Sequence, residues 1–290
     1  MADMCAQGVD TGFAALSYAQ VAILGVVQGI TELLPISSTA HMRIVPAVLG
    51  WRDPGAAFSA AMQMAALFAV ISYFWRDVRE LTVCSLQAVV KREFRDPHLR
   101  LVLLIILGTI PLAIGGLLLT KTLNACGSPL RTISAIGWAC VVMAVLLALA
   151  EILARHKRTI EDVNWIDALV VGVAQVGALI PGVSRSGSTL TAALGRGLER
   201  GDAARFSFLL GLPIIALAGL RELVALHGAH LDSHGWSVLA VGLVVSSISA
   251  FVAIWGLMRI LEKFSAWPFV IYRAVLGVVL IVGAARGLIV

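Results

Sequence analysis

Apolar residues run along this chain in long blocks with few interruptions. Six blocks of 17 or more mostly apolar residues stand at 56–75, 101–120, 132–154, 206–222, 236–258 and 268–288. A helix needs about 20 such residues to cross the hydrocarbon core of a bilayer. Only helices and closed barrels satisfy their backbone groups there. The alternating pattern of a barrel strand is absent, so each block predicts a transmembrane helix.

Two further apolar regions are broken. Residues 18–50 are interrupted by Pro35 and the polar run Ser37-Ser38-Thr39. Residues 165–198 are interrupted by Pro181-Gly182 and then Ser184-Arg185-Ser186. Neither half of either region is long enough to cross comfortably. Each predicts a re-entrant helix–loop–helix hairpin with its tip at membrane depth, where irregular backbone must be buried or line a wet cavity.

The two broken regions also resemble one another. Gly25-Val26-Val27-Gln28 matches Gly172-Val173-Ala174-Gln175, and Pro35 and Ser38 match Pro181 and Ser184. Downstream, Ala56-Ala57-Phe58-Ser59 echoes Ala203-Ala204-Arg205-Phe206-Ser207. Three predicted spans separate the copies, so the second enters from the opposite side. The expectation is one all-α polytopic membrane domain over 1–290. It has six full transmembrane helices and two re-entrant hairpins, arranged as inverted-topology repeats over about 18–154 and 165–288.

Composition agrees with the pattern. The chain is 59% hydrophobic and 13% charged, whereas soluble domains carry roughly a quarter charged residues. A soluble enzyme, a disordered chain and a secreted disulfide scaffold are excluded. The net charge of +5 reflects loop topology, so nucleic acid is not an expected partner. With the N-terminus outside, the inner segments hold 14 Lys and Arg residues and the outer ones 3. That is the orientation the positive-inside rule prefers. Cys5, Cys84, Cys126 and Cys140 show no metal or disulfide spacing. His227, His230 and His234 are expected in a flexible outer loop over 223–235, and 76–100 is expected to be a solvated cytoplasmic loop, with an amphipathic surface helix as an option.

Ionisable residues at membrane depth are functional candidates by default. Gln28 and Glu32 are four apart, hence on one helix face. Ser37, Ser38 or Thr39 can cap the helix that follows Pro35. His41 lies three residues beyond Ser38. In the second tip an arginine takes the place of the carboxylate, and Leu179 matches Glu32. Ser184, Ser186, Ser188 and Thr189 surround Arg185. A helix N-terminus with hydroxyls and a guanidinium suits a phosphate group. The simpler alternatives are a buried Glu32–Arg185 pair and hydroxyls that only cap helices. Arg273, inside the last span, is expected to snorkel or to face the cavity.

The string Gln28-Gly29-Ile30-Thr31-Glu32-Leu33-Leu34-Pro35-Ile36-Ser37-Ser38-Thr39-Ala40-His41 closely resembles the undecaprenyl pyrophosphate phosphatase family, also called bacitracin-resistance proteins. Pro181 to Thr189 fits that family's second motif, PGxSRSxxT, without a departure. The resemblance implies a bacterial inner-membrane hydrolase that converts undecaprenyl diphosphate to the monophosphate, with a site open to the periplasm. It implies roles for Gln28, Glu32, Ser38, His41, Ser184, Arg185, Ser186 and Thr189, and a divalent cation, Mg²⁺ or Ca²⁺. No organic cofactor is expected.

The assignments that follow are these. Glu32, Ser38, His41 and Arg185 are expected to be catalytic. Gln28, Ser37, Ser184, Ser186 and Thr189 are expected to bind substrate. A cation would rest on Glu32 together with the substrate's phosphate oxygens. The nucleophile stays open between Ser38, His41 and water. Expected partners are the polyprenyl diphosphate and membrane lipid, with a homodimer as an open possibility. The rival reading is a secondary transporter or lipid flippase built on the same inverted repeats. A membrane phosphatase of the acid-phosphatase type is excluded, because Thr191 and Gly195 stand where its His and Asp would be.

Overall fold

A computed structural model describes residues 11–123, 129–228 and 231–287. Cys5, Cys126 and His230 lie outside the described residues. Among them the structure is helical throughout, apart from short turns and a single bridge pairing Arg158 with Leu198. The helices are α1 Tyr18–Leu33, α2 Ser38–Leu49, α3 Ala56–Ala61, α4 Gln63–Tyr73, α5 Trp75–Lys91 and α6 Pro97–Leu123. Then follow α7 Ile133–Leu153, α8 Trp165–Val176, α9 Arg185–Gly195, α10 Arg200–Gly228, α11 Ser233–Lys263 and α12 Trp267–Ala285.

Five helices are long and apolar enough to cross a membrane: Pro97–Leu119, Ile133–Leu153, Arg200–Gly228, Ser233–Lys263 and Trp267–Ala285. They match five of the six expected spans. The sixth, 56–75, differs. It is interrupted at Met62 between α3 and α4, and the chain then bends by 80° into α5. The charged stretch from Trp75 is thus mostly helix, the amphipathic form expected as an option for that segment. The bend falls where the apolar run meets Arg76 and Asp77, so α4 and the polar α5 separate by their affinity for water.

Two helix–break–helix units complete the fold, α1–α2 and α8–α9. The first helix of each is apolar but short. Each packs closely on a long helix through glycine. A Cβ on Gly29 of α1 would lie 2.4 Å from the Ser246 carbonyl oxygen of α11. One on Gly172 of α8 would lie 2.3 Å from that of Gly108 in α6. Small residues let backbones approach where lipid supplies no hydrophobic drive between helices. Large side chains such as Leu103, Ile106, Ile110, Ile114 and Leu117 point outward from α6. That stripe fits an apolar solvent better than water.

At one end of the bundle, charge ties the connections together. Asp167, fully buried, accepts from Arg158 at 2.5 and 3.1 Å and from Arg196 at 2.6 Å. Arg200 pairs with Glu151 and Arg205 with Asp77. The expected outer loop 223–235 is largely helix instead. His227 closes α10. His234 lies in α11, its ring edge-on to Tyr18 at 5.4 Å. An interhelical packing contact therefore replaces the flexible setting expected of it.

Candidate active site

Both breaks use the same backbone device. Ser37 and Ser184 each sit at positive φ, 73° and 69°. Each side chain caps the following helix, Ser37 accepting from Ala40 N and Ser184 from Gly187 N. Left-handed backbone costs a non-glycine residue roughly 1–2 kcal/mol, so the surroundings must hold it. The caps are 147 residues apart, as are Gln28 and Gln175. The structural partner of Ser184 is therefore Ser37, not Ser38 as the proline alignment suggests. Ser38 matches Arg185, each the first residue of its helix.

The breaks bring Glu32 and Arg185 together. Glu32 is 8% exposed and the Arg185 side chain 13%. Arg185 Nη2 lies 3.4 Å from Glu32 Oε1, a loose ion pair. Ser38 Oγ donates to Glu32 Oε2 at 2.6 Å, and Gln28 Nε2 donates to the same oxygen at 3.0 Å. Charge-assisted bonds of this kind are short and strong. A Cβ on Gly211 would lie 2.1 Å from Arg185 Nη1, so α10 leaves a gap where the guanidinium rests. Composition gave no sign of Gly211.

His41 has both ring nitrogens occupied. Nδ1 lies 2.8 Å from the Ser37 carbonyl oxygen, which only accepts, so Nδ1 carries a proton by inference. Nε2 lies 2.6 Å from the Tyr272 hydroxyl, which donates to it when the ring is neutral. The two rings stack with centroids 5.7 Å apart. Tyr272 was not foreseen, since a tyrosine in an apolar span ordinarily marks a membrane interface.

The remaining hydroxyls bond within the protein. Ser186 Oγ donates to the carbonyl oxygens of Glu32 at 3.2 Å and Leu34 at 3.1 Å, binding the second unit to the end of α1. It also lies 3.2 Å from Ser184 Oγ. Thr189 Oγ1 donates to the Arg185 carbonyl at 2.9 Å and pairs with the Ser207 hydroxyl. The structure thus gathers Gln28, Glu32, Ser38 and Arg185 at one point. It places Ser37, Ser184, Ser186 and Thr189 in the scaffold around them.

Arg273 neither snorkels nor faces open space. It is 1% exposed. Nη1 donates to the Pro35 carbonyl oxygen at 3.1 Å, and Nη2 to those of Gly182 and Val183 at 2.9 and 3.0 Å. One side chain of α12 therefore satisfies carbonyls of both breaks, which must find donors away from water. Glycine is required beside it. Gly182 has φ 96°, and a Cβ there would lie 2.7 Å from the Ile136 carbonyl oxygen.

The helices α2 and α9 both begin at this site. The N–H groups of Arg185 and Ser186 precede the first intrahelical bond of α9, from Ser188 N to the Ser184 carbonyl at 2.9 Å. Such groups, with the helix dipole and a guanidinium, bind anions. Among the described residues no three His, Cys, Asp or Glu side chains converge as metal ligands.

Fold and site together define a multi-pass helical membrane protein, with a carboxylate and a guanidinium meeting at two buried helix breaks. The chain belongs to the bacitracin resistance protein BacA family, whose model matches residues 21–279. It is 72% identical over 260 residues to undecaprenyl-diphosphatase 2 of Mesorhizobium japonicum, covering 90% of this chain and 98% of that one. It is 48% identical to the undecaprenyl-diphosphatase of Synechococcus elongatus, over 92% of this chain and 93% of the relative. That of Gloeobacter violaceus is 49% identical over 92% of each.

Proposed function

We propose that this protein hydrolyses undecaprenyl diphosphate to undecaprenyl monophosphate and inorganic phosphate, recycling the lipid carrier for cell-wall polymers. The names of its relatives support the substrate. The observation that carries the chemistry is the meeting of Glu32, Ser38 and Arg185 across the two breaks. The units α1–α2 and α8–α9 act as re-entrant hairpins within inverted repeats, with α3–α4 as the sixth span. The shared offset of 147 and the matched serine caps favour that arrangement. The bacterial inner membrane is the setting. The distribution of basic residues favours a site open to the periplasm.

The diphosphate lies between the tips, and its prenyl tail leaves sideways into lipid. Arg185 and the first N–H groups of α9 bind the terminal phosphoryl oxygens and stabilise the charge that develops there. Ser38 already gives its hydrogen to Glu32, so Glu32 is placed to act as base toward Ser38, or toward a water in its place. With Ser38 attacking, its Oγ bonds to the terminal phosphorus and the bridging P–O bond breaks. The lipid monophosphate leaves, and water then cleaves the phosphoserine. His41 is less suited to attack, because both nitrogens are engaged. It orients Ser37 and with it the start of α2.

A divalent cation would sit at the first unit. Gln28 Oε1 is buried without a partner, on the amide whose Nε2 donates to Glu32 Oε2. These oxygens would hold the ion together with phosphate oxygens, and the ion would neutralise the diphosphate charge.

The deciding measurement is phosphate release from C55 diphosphate by detergent-solubilised protein, beside Glu32→Ala and Arg185→Ala. A transporter has no membrane to work across in detergent and would release nothing. Trapping phosphate on Ser38 with labelled substrate separates serine from water as attacker, and full activity in Ser38→Ala removes serine.

A further inference from the structure

The helix α5 turns one face to the bundle and a second apolar face away from it. At about 100° per residue its side chains sort into three sectors. Val78, Leu81, Ser85 and Ala88 form the inward sector, Ser85 and Ala88 buried and the other two packed on the main apolar core. Arg76, Glu80, Gln87 and Lys91 form an exposed polar sector. On the remaining side stand Trp75, Thr82, Val83, Leu86, Val89 and Val90, all exposed. Leu86 is 63% exposed and Val90 83%. Phe94, just past the helix, is exposed as well. Arg79 lies within this sector, on a stem long enough to snorkel. A helix in water turns its polar residues outward. Here a contiguous apolar stripe faces out, and such stripes mark a surface covered by something apolar.

Three features identify that cover. The first is direction. The chain bends by 80° between α4 and α5, so with α4 as the span proposed above, α5 lies close to the membrane plane. The second is level. The Asp77–Arg205 ion pair sets the first turn of α5 at the charged end of the bundle, where Asp167 and Glu151 meet their arginines. Trp75 at that point is a side chain typical of the membrane–water interface. The third is charge. Arg76, Arg79, Lys91, Arg92 and Arg95 make no ion pair among the described residues. Of the three acidic residues over 75–95, Asp77 is already engaged by Arg205, which leaves Glu80 and Glu93. A second copy seated on the same stripe would bring these cations against one another. An anionic lipid surface offers both the apolar medium and the opposite charge.

We propose that α5 is a membrane-surface helix that seats its Trp75–Val90 stripe in the adjoining leaflet and retains anionic phospholipid through the basic residues beside the stripe and beyond its end. Helices of this kind sink their apolar face about 5–10 Å into the boundary between headgroups and acyl chains. Their Lys and Arg side chains draw acidic headgroups. This seating requires a membrane but not hydrolysis.

The test uses the full chain in vesicles of phosphatidylethanolamine and phosphatidylglycerol. Cys5, Cys84 and Cys126 are replaced by serine, and the buried Cys140 is kept. Nitroxide labels are then introduced one at a time through Leu86→Cys, Gln87→Cys and Val90→Cys. Power-saturation EPR compares collisions with oxygen, which concentrates in lipid, and with a nickel chelate, which stays in water. Labels at 86 and 90 should favour oxygen and the label at 87 nickel. Nickel preference at 86 and 90 overturns the proposal. So does shielding of both from either reagent, which would mean that protein covers the stripe. Charge is read separately, from the retention of spin-labelled phosphatidylglycerol over phosphatidylcholine by the protein. That preference should fall about threefold or more when Arg76→Gln, Arg79→Gln, Lys91→Gln, Arg92→Gln and Arg95→Gln are combined. An unchanged preference refutes the choice of anionic lipid. Should the combined variant fail to fold, Arg92→Gln with Arg95→Gln, both past the last turn of α5, should lower the preference in the same direction, and no change there refutes it equally. Neither readout involves phosphate release, so loss of hydrolysis with α5 seated would fault the phosphatase reading alone.

Discussion

The α1–α2 and α8–α9 units share a backbone and differ in charge. Each has a glutamine nine residues before a serine that caps the next helix from a left-handed conformation. Around that common frame the first unit carries Glu32 and Ser38, where the second carries Leu179 and Arg185. A symmetric pair would set like charges against one another at membrane depth. The difference instead sets a carboxylate with a hydroxyl against a guanidinium, the pairing on which the proposed acid–base and anion-binding halves rest. The same glutamines show the difference. Gln28 bonds to Glu32, whereas Gln175, with leucine in place of that carboxylate, is buried with both amide atoms unpartnered. The shared backbone is the frame, and the residues that differ within it are the ones the proposed chemistry uses.

The strongest way to break this comparison is to remove the charge of the second unit. Arg185→Ala should lower kcat/KM about 100- to 1,000-fold, in the range of lost transition-state charge stabilisation. Arg185→Lys should recover little, because a point charge cannot reproduce the planar fork. Near-normal phosphate release by the lysine variant would count against the clamp. Making the first unit resemble the second comes next. Glu32→Gln keeps the shape but removes the base, and should reduce kcat about 100-fold while the protein remains folded by circular dichroism. Unchanged kcat would transfer the base role elsewhere.

Smaller effects sharpen the picture. Tyr272→Phe frees His41 Nε2 and should lower kcat roughly three- to tenfold, since about 1 kcal/mol of positioning is lost. An effect as large as that of Glu32→Gln would make His41 a direct participant. The shared caps give the mildest test. Ser37→Ala and Ser184→Ala should each destabilise by about 1 kcal/mol through the lost cap. The glycine variants should be near neutral, because glycine adopts left-handed φ freely. Thermal melts in detergent compare the four. If alanine and glycine behave alike at both positions, the strained conformation is not what the two caps share.

Much of this was legible in the residues. Prolines, hydroxyls and lone charges inside apolar runs marked both breaks, because each is costly in a bilayer and therefore conspicuous. Aligning the prolines sets the register of the repeat one residue off at the tips, because the capping serine holds the equivalent position. The prolines differ by one, Pro35 following Gln28 by seven residues and Pro181 following Gln175 by six, and the residues that match the last turn of α1 form a 3₁₀ turn, Gly177–Leu179. Tyr272 and Gly211 were not legible. They meet the tips only through folding across the bundle, and nothing local distinguishes them from ordinary residues of a span. Arg273 was conspicuous but its role was not, since its partners are backbone carbonyls that any residue could offer. Hydropathy does not show the bend after α4, because it registers length, not direction.

The ion pair across the tips also has a history in time. Arg185 follows Glu32 by 153 residues, and at roughly 5–20 residues per second of synthesis that is an interval of about 8–30 s. Through it the first unit has its carboxylate but no cation to meet it, and its Pro35 carbonyl has no Arg273. A growing chain at that stage holds half a site, with an acid whose lowest-energy place is the aqueous interface. Under the proposed topology the Glu32–Arg185 pair, and with it the joining of the two units, forms only after the second unit has been made.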